Sequence, residues 1–401
     1  MNRSTDRIVT THGGRLPAPG VIGELLAARE ANDAAALAQL THAGIVETLT
    51  RQSEIGIDVP SDGEFYKVNF RNPLYYEGRF TGIEARQSEP GELTWAGQRS
   101  PESLDPRFER LFAYLARAGW IDAGLPPVPG FYPGEVGTRF VVSGPLGYRG
   151  RAAIEAELRV TTAALAEVGL APADAFYPLL GPFWLSHFIF NEYYATDEDF
   201  IDALAAALRE EYLAVIDAGF ILQVDDPALA DKFAMFNPPL SIAEYRRHCE
   251  HRIGATNDAL RGIPEERIRY HTCWGSFHYP HTRDIGLEHI IDLLLKVNAQ
   301  AYSIEAASIG HQLDHRVWER VRLPEGKILI PGVIAHSTSN QVEPPELVAD
   351  RIETYARIVG RENVIAGVDC GPGGRCHDDI AWAKLRSLAE GAELASARLF
   401  G

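Results

Sequence analysis

The stretch DEDFIDALAAALREEYLAVIDAGFILQVDDP, residues 197–227, joins a long helical pattern to a short apolar run. Its first part repeats apolar residues with the period of an α-helix, and its last part, FILQVDDP, has the length and composition of a buried strand. A helix that runs directly into such a strand is typical of the βαβ units of a parallel sheet. The stretch therefore predicts an α/β fold, and the rest of the chain decides which one.

Similar apolar runs alternate with helical segments from about residue 139 onward. The strand candidates there are RFVVSGP (139–145), DAFYPLLGP (174–182), FILQVDDP (220–227), RIRYHTCWG (267–275), AYSIEAA (301–307), ILIPGVIAHS (328–337) and NVIAGVDCGPG (363–373), and two earlier candidates are DRIVTTHGG (6–14) and IDVPSDGE (57–64). A (β/α)8 TIM barrel needs one strand fewer than this set contains. We expect either DAFYPLLGP or DRIVTTHGG to be the irregular one.

The alternative architecture is an open doubly wound sheet. The chain has no G-x-G-x-x-G after an early strand and no GK[ST] segment, so the barrel is favoured. Residues 66–135 lack the regular alternation and are rich in Tyr, Phe, Pro and Gly. We predict a single barrel domain over residues 1–401 with this long insertion after its second strand, where the insertion serves as a lid or an oligomer contact.

Charge and composition exclude several classes of function. The chain has 401 residues, 46% of them hydrophobic, and a formal net charge of −17. A surface for nucleic acid or an anionic membrane needs clustered Lys and Arg, which this balance disfavours. No stretch approaches the roughly 20 apolar residues of a membrane span, and the first residues do not resemble a signal peptide. We expect a cytoplasmic enzyme that acts on small molecules and that can form a homo-oligomer.

Polar residues end several of the predicted strands, where the loops of a barrel converge on one mouth. In HTC, His271 and Cys273 lie two residues apart and point to the same face of a strand, although alone they could equally be a buried core pair. Glu305 ends the apolar AYSIEAA, where a buried carboxylate needs a partner such as a cation. Cys370 ends VIAGVDC. One imidazole, two thiolates and one carboxylate suit tetrahedral Zn²⁺ better than Mg²⁺ or Ca²⁺.

The chain has two other cysteines. Cys249 lies inside the helical SIAEYRRHCEHR and is interpreted as structural. Cys376 follows Cys370 by six residues and is ranked below it as a ligand.

At these residues the sequence resembles the catalytic half of the cobalamin-independent methionine synthases and their short relatives. In that family zinc is held by an HxC pair, by a Glu at the end of the next strand and by a Cys in a DCG segment. The resemblance covers roughly residues 8–20, 58–65 and 139–390. It implies that His271, Cys273, Glu305 and Cys370 bind zinc, and that the protein is a zinc-dependent methyl or alkyl transferase of methionine biosynthesis with a homocysteine-like thiol acceptor. The family's duplicated N-terminal half has no counterpart here, so a methylated folate is only one candidate donor.

Three further motifs carry over from the family. SDGE (61–64) resembles a segment whose Glu contacts the amino group of homocysteine, which implies that role for Glu64. LQVDDPAL (222–229) resembles a segment whose Asp reaches the same amino group, which implies Asp225. Asp225 and Asp226 precede Pro227, however, and Asp before Pro also often starts a turn. IAHST (334–338) resembles a segment whose His is a proposed proton donor, which implies His336.

The departure from the family pattern lies in GGRLP (13–17), where Arg15 stands at the position of a serine that helps to hold the amino-acid carboxylate. Arginine can bind a carboxylate or a sulfonate bidentately. Two alternatives in the same superfamily therefore stay open, a zinc-dependent transferase that opens epoxides with coenzyme M and a C–S lyase. An alternative of another class is a binding protein in which zinc is only structural.

Overall fold

The computed structural model describes residues 1–67, 73–89, 92–96, 107, 110, 137–236, 238–275, 280–336 and 341–401. In these ranges the strands, in chain order, are β1 (Val9–Thr10), β2 (Phe80–Gln87), β3 (Thr138–Tyr148), β4 (Phe176–Leu180), β5 (Ile189–Asn191), β6 (Ile221–Asp225), β7 (Ile268–Thr272), β8 (Ala301–Ile304), β9 (Ile328–Ile334) and β10 (Ile365–Val368). The larger sheet runs in the order β1, β10, β9, β8, β7, β6, β4, and each pair of neighbouring strands in this order is parallel.

The open edge between β1 and β4 is closed by residues 57–60. Val59 N donates to Thr10 O at 3.0 Å, Val59 forms a parallel bridge with Thr11, and Phe176 N donates to Pro60 O at 3.0 Å. This segment, the predicted IDVPSDGE, is therefore the second strand of a closed barrel. The prediction of a (β/α)8 TIM barrel with an insertion after its second strand is confirmed.

The extra strand is RFVVSGP, which belongs to a separate sheet. Strand β3 pairs antiparallel with β2 and parallel with β5. The expectation that DAFYPLLGP or DRIVTTHGG is irregular was wrong, because both lie in the barrel as β4 and β1. The physical reason is that β3 carries four consecutive buried residues, like a barrel strand, so composition alone does not show which sheet it joins.

The predicted insertion contributes strand β2 to the sheet of β2, β3 and β5, together with the short helix Pro73–Arg79 that precedes β2. Its residues 68–72, 90–91, 97–106, 108–109 and 111–136 lie outside the described residues. A role as lid or oligomer contact stays a prediction.

Helices cover the outside of the barrel and shape its loops. In the described ranges they are α1 (Ile22–Glu30), α2 (Ala34–Ile55), α3 (Pro73–Arg79), α4 (Arg151–Glu167), α5 (Pro182–Leu185), α6 (Asp197–Asp217), α7 (Ala228–Asp231), α8 (Ile242–Ala259), α9 (Ile291–Leu294), α10 (His315–Trp318), α11 (Pro345–Val359) and α12 (Asp378–Phe400). Thr196 caps α6 by accepting from Asp199 N at 3.0 Å, which explains where the helix of the opening stretch begins. Among the residues described, no helix combines the length and the apolar character needed to cross a membrane.

The interior of the barrel is partly polar near the end of β1. The buried Arg269 of β7 donates to Thr11 Oγ1 at 2.9 Å and to His12 O at 2.8 Å. Gln223 of β6 donates to Gly13 O at 2.8 Å. These bonds satisfy backbone groups just after β1 and fix the loop that follows it. The inner side chains of β6 and β7 thus position one edge of the barrel mouth.

Candidate functional site

Three potential metal ligands meet at the carboxyl end of the barrel strands. Ligand atoms of His271, Cys273 and Cys370 all lie within 4.8 Å of one another. His271 is on β7, Cys273 directly follows it, and Cys370 follows β10 by one residue. The thiols and the imidazole therefore come from strand ends that are distant in sequence and are brought together by barrel closure.

The imidazole of His271 is oriented by one of its two nitrogens. Its Nδ1 lies 3.0 Å from Ser303 Oγ on the neighbouring strand β8. Its Nε2 is buried and has no hydrogen-bond partner among the residues described. An imidazole held at one nitrogen and unpaired at the other is the arrangement expected of a metal ligand. Two sulfurs and one such nitrogen fit the donor preferences of zinc.

Electrostatics within the cluster favour a thiolate. Hydrogen bonding from the Cys273 thiol and the neighbouring His271 lower the pKa of Cys370 well below its ordinary value, although burial opposes this. The same contact with Cys370, together with burial, raises the pKa of Cys273. Burial lowers the pKa of His271, but the Cys370 thiolate outweighs burial and the net direction is upward. The cluster thus concentrates negative charge on sulfur, which a cation would neutralise.

Glu305 lies beside this cluster but outside the set of three. It is only 3% exposed, and its Oε2 accepts a hydrogen bond from Trp274 N at 2.8 Å. The carboxylate also acts electrostatically on Cys273 by raising the pKa of that thiol. The structure therefore brings Glu305 next to the three ligands without joining it to them, and its role as a fourth ligand stays a prediction.

Two carboxyl groups at the mouth carry raised pKa values. Burial raises the pKa of Glu64 to about 8, with Asp62 and Asp225 adding to the increase and Lys67 opposing it. Burial likewise raises the pKa of Asp225 to about 7, while His271 opposes this. Asp225 Oδ1 lies 3.7 Å from His271 Nε2, so the second carboxyl group lies directly beside the candidate ligands.

Glu64 is held in an unusual backbone conformation. Its φ is 61°, in the left-handed region that favours glycine, and its N–H donates to Asp62 Oδ1 at 3.1 Å. A Cβ at Gly14 would collide with Glu64 Oε1. The carboxyl group is therefore packed over the loop that follows β1, in the space that Gly14 leaves open. Backbone strain of this kind often accompanies a functional position.

The other predicted residues also lie at the mouth. His336 follows β9, is 1% exposed, and has a pKa lowered by burial, which Cys370 and Glu305 partly offset. Arg15 is exposed, and its carbonyl oxygen accepts from Gly373 N at 2.9 Å. Cys249 and Cys376 are buried but lie outside the three-ligand cluster.

Sequence reasoning gave no role to several residues of the site. Asp369 is fully buried, and its two oxygens accept from Ala306 N, Ala307 N and Ser308 N at 2.7–2.9 Å, which fixes the loop after β8. Ser303, which orients His271, and the half-buried Arg375 were also missed. A signal was available for Asp369, which sits next to Cys370 at a strand end. Arg375 lies in GPGGRC, a Gly- and Pro-rich segment whose composition is typical of a turn.

Comparison with known proteins agrees with this geometry. Residues 190–393 match the family described as the catalytic domain of cobalamin-independent synthase. A methionine synthase from Sulfurisphaera tokodaii is 25% identical over 219 residues, which are 54% of this chain and 55% of the relative. Another, from Thermococcus kodakarensis, is 26% identical over 222 residues, which are 54% and 56% of the two chains. The matched region spans about half the length of these curated relatives.

Solved structures resemble the whole chain. A B12-independent methionine synthase from a Shewanella species, in complex with selenomethionine, has a TM-score of 0.67 at 18% identity and covers 98% of this chain and 99% of that one. A structure described as a vitamin-B12 independent methionine synthase from Listeria monocytogenes has a TM-score of 0.62 at 17% identity, with 96% and 98% covered. At this identity the likeness shows the fold. Because the family match spans half of the sequence and includes β6 to β10, the chain belongs to the cobalamin-independent synthase family.

Proposed function

We propose that the chain transfers a methyl group, or another alkyl group, to the sulfur of a homocysteine-like thiol at a zinc site formed by His271, Cys273 and Cys370, with Glu305 as fourth ligand. The observation that carries the proposal is the three-ligand cluster, whose atoms lie within 4.8 Å of one another at the barrel mouth. A zinc ion bound there would hold the substrate thiol as its nucleophilic thiolate.

The residues around the cluster are suited to an amino-acid thiol. Glu64 and Asp225 are half-buried carboxyl groups with raised pKa values. An ammonium group placed between them would favour their ionised forms and form a charge-assisted hydrogen bond with each. Arg15 would bind the anionic group of the same substrate. The methionine synthases among the relatives, and the selenomethionine in the Shewanella structure, are consistent with such an acceptor.

His336 is the candidate proton donor to the leaving atom. It is buried at the end of β9, and Cys370 is among the groups that act on its pKa, which supports a role close to the substrate sulfur. In this role it would protonate the group that departs when the thiolate attacks the alkyl carbon. A methylated folate, another methylated small molecule or an epoxide are the donors to be compared.

The test is to combine metal analysis with ligand replacement. Purified protein should contain about one zinc per chain, and Cys370→Ser and Cys273→Ser should lose the metal and reduce transfer activity by roughly 100-fold or more. Cys376→Ser is the matched control, because this thiol is buried but lies outside the cluster. Circular dichroism should show that all three variants keep the fold.

Each alternative predicts a different outcome. If the two ligand variants unfold when zinc is lost, the zinc is structural and the binding-protein alternative is favoured. If the ligand variants lose zinc but stay folded, the acceptor is the next question. Zinc-edge absorption of the wild type with homocysteine, cysteine or coenzyme M would identify the thiol whose sulfur enters the metal shell. Purified protein without zinc under metal-replete growth would contradict the proposal.

A further inference from the structure

Two arginines are brought together where the loops after β1 and β10 meet. Strands β1 and β10 pair in parallel, and Gly373 N donates to Arg15 O at 2.9 Å. A Cβ at Gly371 would collide with the backbone of Arg15, so the loops touch because Gly371 has no side chain. Arg375 follows directly in the second loop. Barrel closure thus places Arg15 and Arg375 on adjoining loops beside Cys370.

Neither guanidinium has a partner among the residues that the structure describes. Across the ranges that the structure describes, Arg15 and Arg375 donate no hydrogen bond from their side chains and form no ion pair. Arg15 is exposed, but Arg375 is half-buried. A guanidinium has five N–H donors, and burying a charged group without an acceptor is costly. An anion bound between the two loops would supply the acceptors that the described residues do not.

The surrounding charges show that the pair lies next to the candidate metal ligands. Burial and Arg15 lower the pKa of Arg375, while Cys370, Cys273 and Asp225 act in the opposite direction. Arg15 also opposes, as a minor contribution, the rise that burial causes in the pKa of Glu64. The two arginines thus lie within electrostatic range of both the thiol cluster and the carboxyl groups assigned to an ammonium.

We infer that Arg375, together with Arg15, binds the oxyanion at the far end of the thiol substrate, a carboxylate or a sulfonate, and so determines acceptor specificity. The inference rests on the proposed function only in that it places the substrate sulfur at the His271, Cys273 and Cys370 cluster. Guanidinium groups match the planar, two-oxygen geometry of a carboxylate and form bidentate pairs with it. The unpaired donors of Arg375 would then be satisfied by the substrate.

Three thiols that differ only in their polar groups test this inference. Homocysteine carries an ammonium and a carboxylate, 4-mercaptobutanoate lacks the ammonium, and 3-aminopropane-1-thiol lacks the carboxylate. Calorimetric titration of the zinc-loaded full chain measures the affinity for each. Arg375→Gln should weaken homocysteine and 4-mercaptobutanoate by roughly 10- to 100-fold and leave 3-aminopropane-1-thiol within about twofold.

Controls separate this effect from loss of structure. Arg375→Lys keeps the charge but not the bidentate geometry and should give an intermediate loss. Arg15→Gln changes an exposed residue, so it should fold normally and show the same carboxylate-selective loss. Arg320→Gln, at an exposed position after α10, should bind all three thiols as the wild type does. Zinc content is measured for every variant.

The outcomes distinguish this inference from the proposed function. Equal weakening of all three thiols, or no weakening, in both Arg375→Gln and Arg15→Gln overturns the arginine site even where homocysteine transfer is intact. A wild type that prefers 2-mercaptoethanesulfonate, with an affinity that both variants reduce, supports the arginine site and overturns the homocysteine acceptor. A zinc-loaded wild type that binds none of the four thiols overturns both.

Discussion

Two arginines in different parts of the molecule illustrate the difference between structural and ligand-binding charges. Arg79, at the end of α3, is 6% exposed and lies 2.5 Å from both Glu211 and Glu157. Burial lowers the pKa of Arg79, but the two carboxylates outweigh burial and raise it. Arg375 at the barrel mouth has no such pair with any residue in the described ranges, and burial prevails, so that its pKa is lowered. The same residue type is neutralised internally in one region and left for an external partner in the other.

The largest effect on stability is expected where the charge is paired. Arg79→Met would leave Glu211, which is fully buried, without its cation, and we expect a loss of about 3–5 kcal/mol in the free energy of unfolding. Urea denaturation measures the loss. Zinc content of the folded fraction should not change, because Arg79 pairs with Glu157 and Glu211 on α4 and α6 and with none of the candidate ligands.

The matched control is an exposed ion pair of the same sheet region. Arg86 pairs with Glu192, and both side chains are more than two-fifths exposed. Arg86→Met should cost less than about 1 kcal/mol. If Arg79→Met cost no more than Arg86→Met, the contrast between paired and unpaired arginines would lose its basis.

The barrel was predictable from sequence because its signal is local. A helical period followed by a short apolar run recurs along the chain, and β6 to β10 lie where FILQVDDP and its successors predict them. The error concerned β3, whose buried run looks like a barrel strand although it pairs with β2. Pairing partners depend on contacts between distant segments, and these are invisible in a single stretch of sequence.

The candidate site was only partly predictable for a related reason. His271 and Cys273 were found because strand alternation places residues two apart on one face, and Cys370 because it ends another strand. Arg375 was missed because the reason to assign it to a ligand is that its guanidinium has no hydrogen-bond acceptor among the described residues. The absence of a partner is a property of the folded arrangement of several loops and has no pattern in the sequence.

Glu64, like Arg375, is proposed to pair with the substrate and not with another residue, but its charge is negative. Glu64→Gln removes one of the two carboxylates of the proposed ammonium site and leaves the ammonium with Asp225 alone, which should weaken homocysteine binding by roughly 10- to 100-fold while zinc is retained. Affinity for 4-mercaptobutanoate, which has no ammonium, should stay near that of the wild type. Glu24→Gln on the exposed side of α1 is the control. Equal losses for both thiols would indicate a disturbed mouth rather than a lost ion pair.

Asp284 shows that a charged side chain near the barrel mouth can be paired within the protein and need not bind a ligand. It lies 2.7 Å from His281 and 3.6 Å from His311, whose ring stacks on Trp274 at 3.7 Å between centroids. Burial would raise the pKa of Asp284, but the two histidines outweigh it and lower the pKa to about 2. Despite burial, Asp284 and Asp314 raise the pKa of His311 to about 10.

These pKa shifts predict that the free energy of unfolding falls at both low and high pH. The Asp284 carboxylate stabilises the fold fully above its unfolded pKa near 4, and this contribution, about 2 kcal/mol, is lost as pH falls towards 2. The His311 contribution is complete below about pH 6.5 and is lost as pH rises towards 10. Asp284→Asn should therefore cost most near pH 5–6 and less at pH 3, as measured by urea denaturation. Asp292→Asn, in an exposed pair with Arg246, should cost less than about 1 kcal/mol at every pH. A flat difference between wild type and Asp284→Asn would mean that this cluster, like Arg375, is not internally paired in solution.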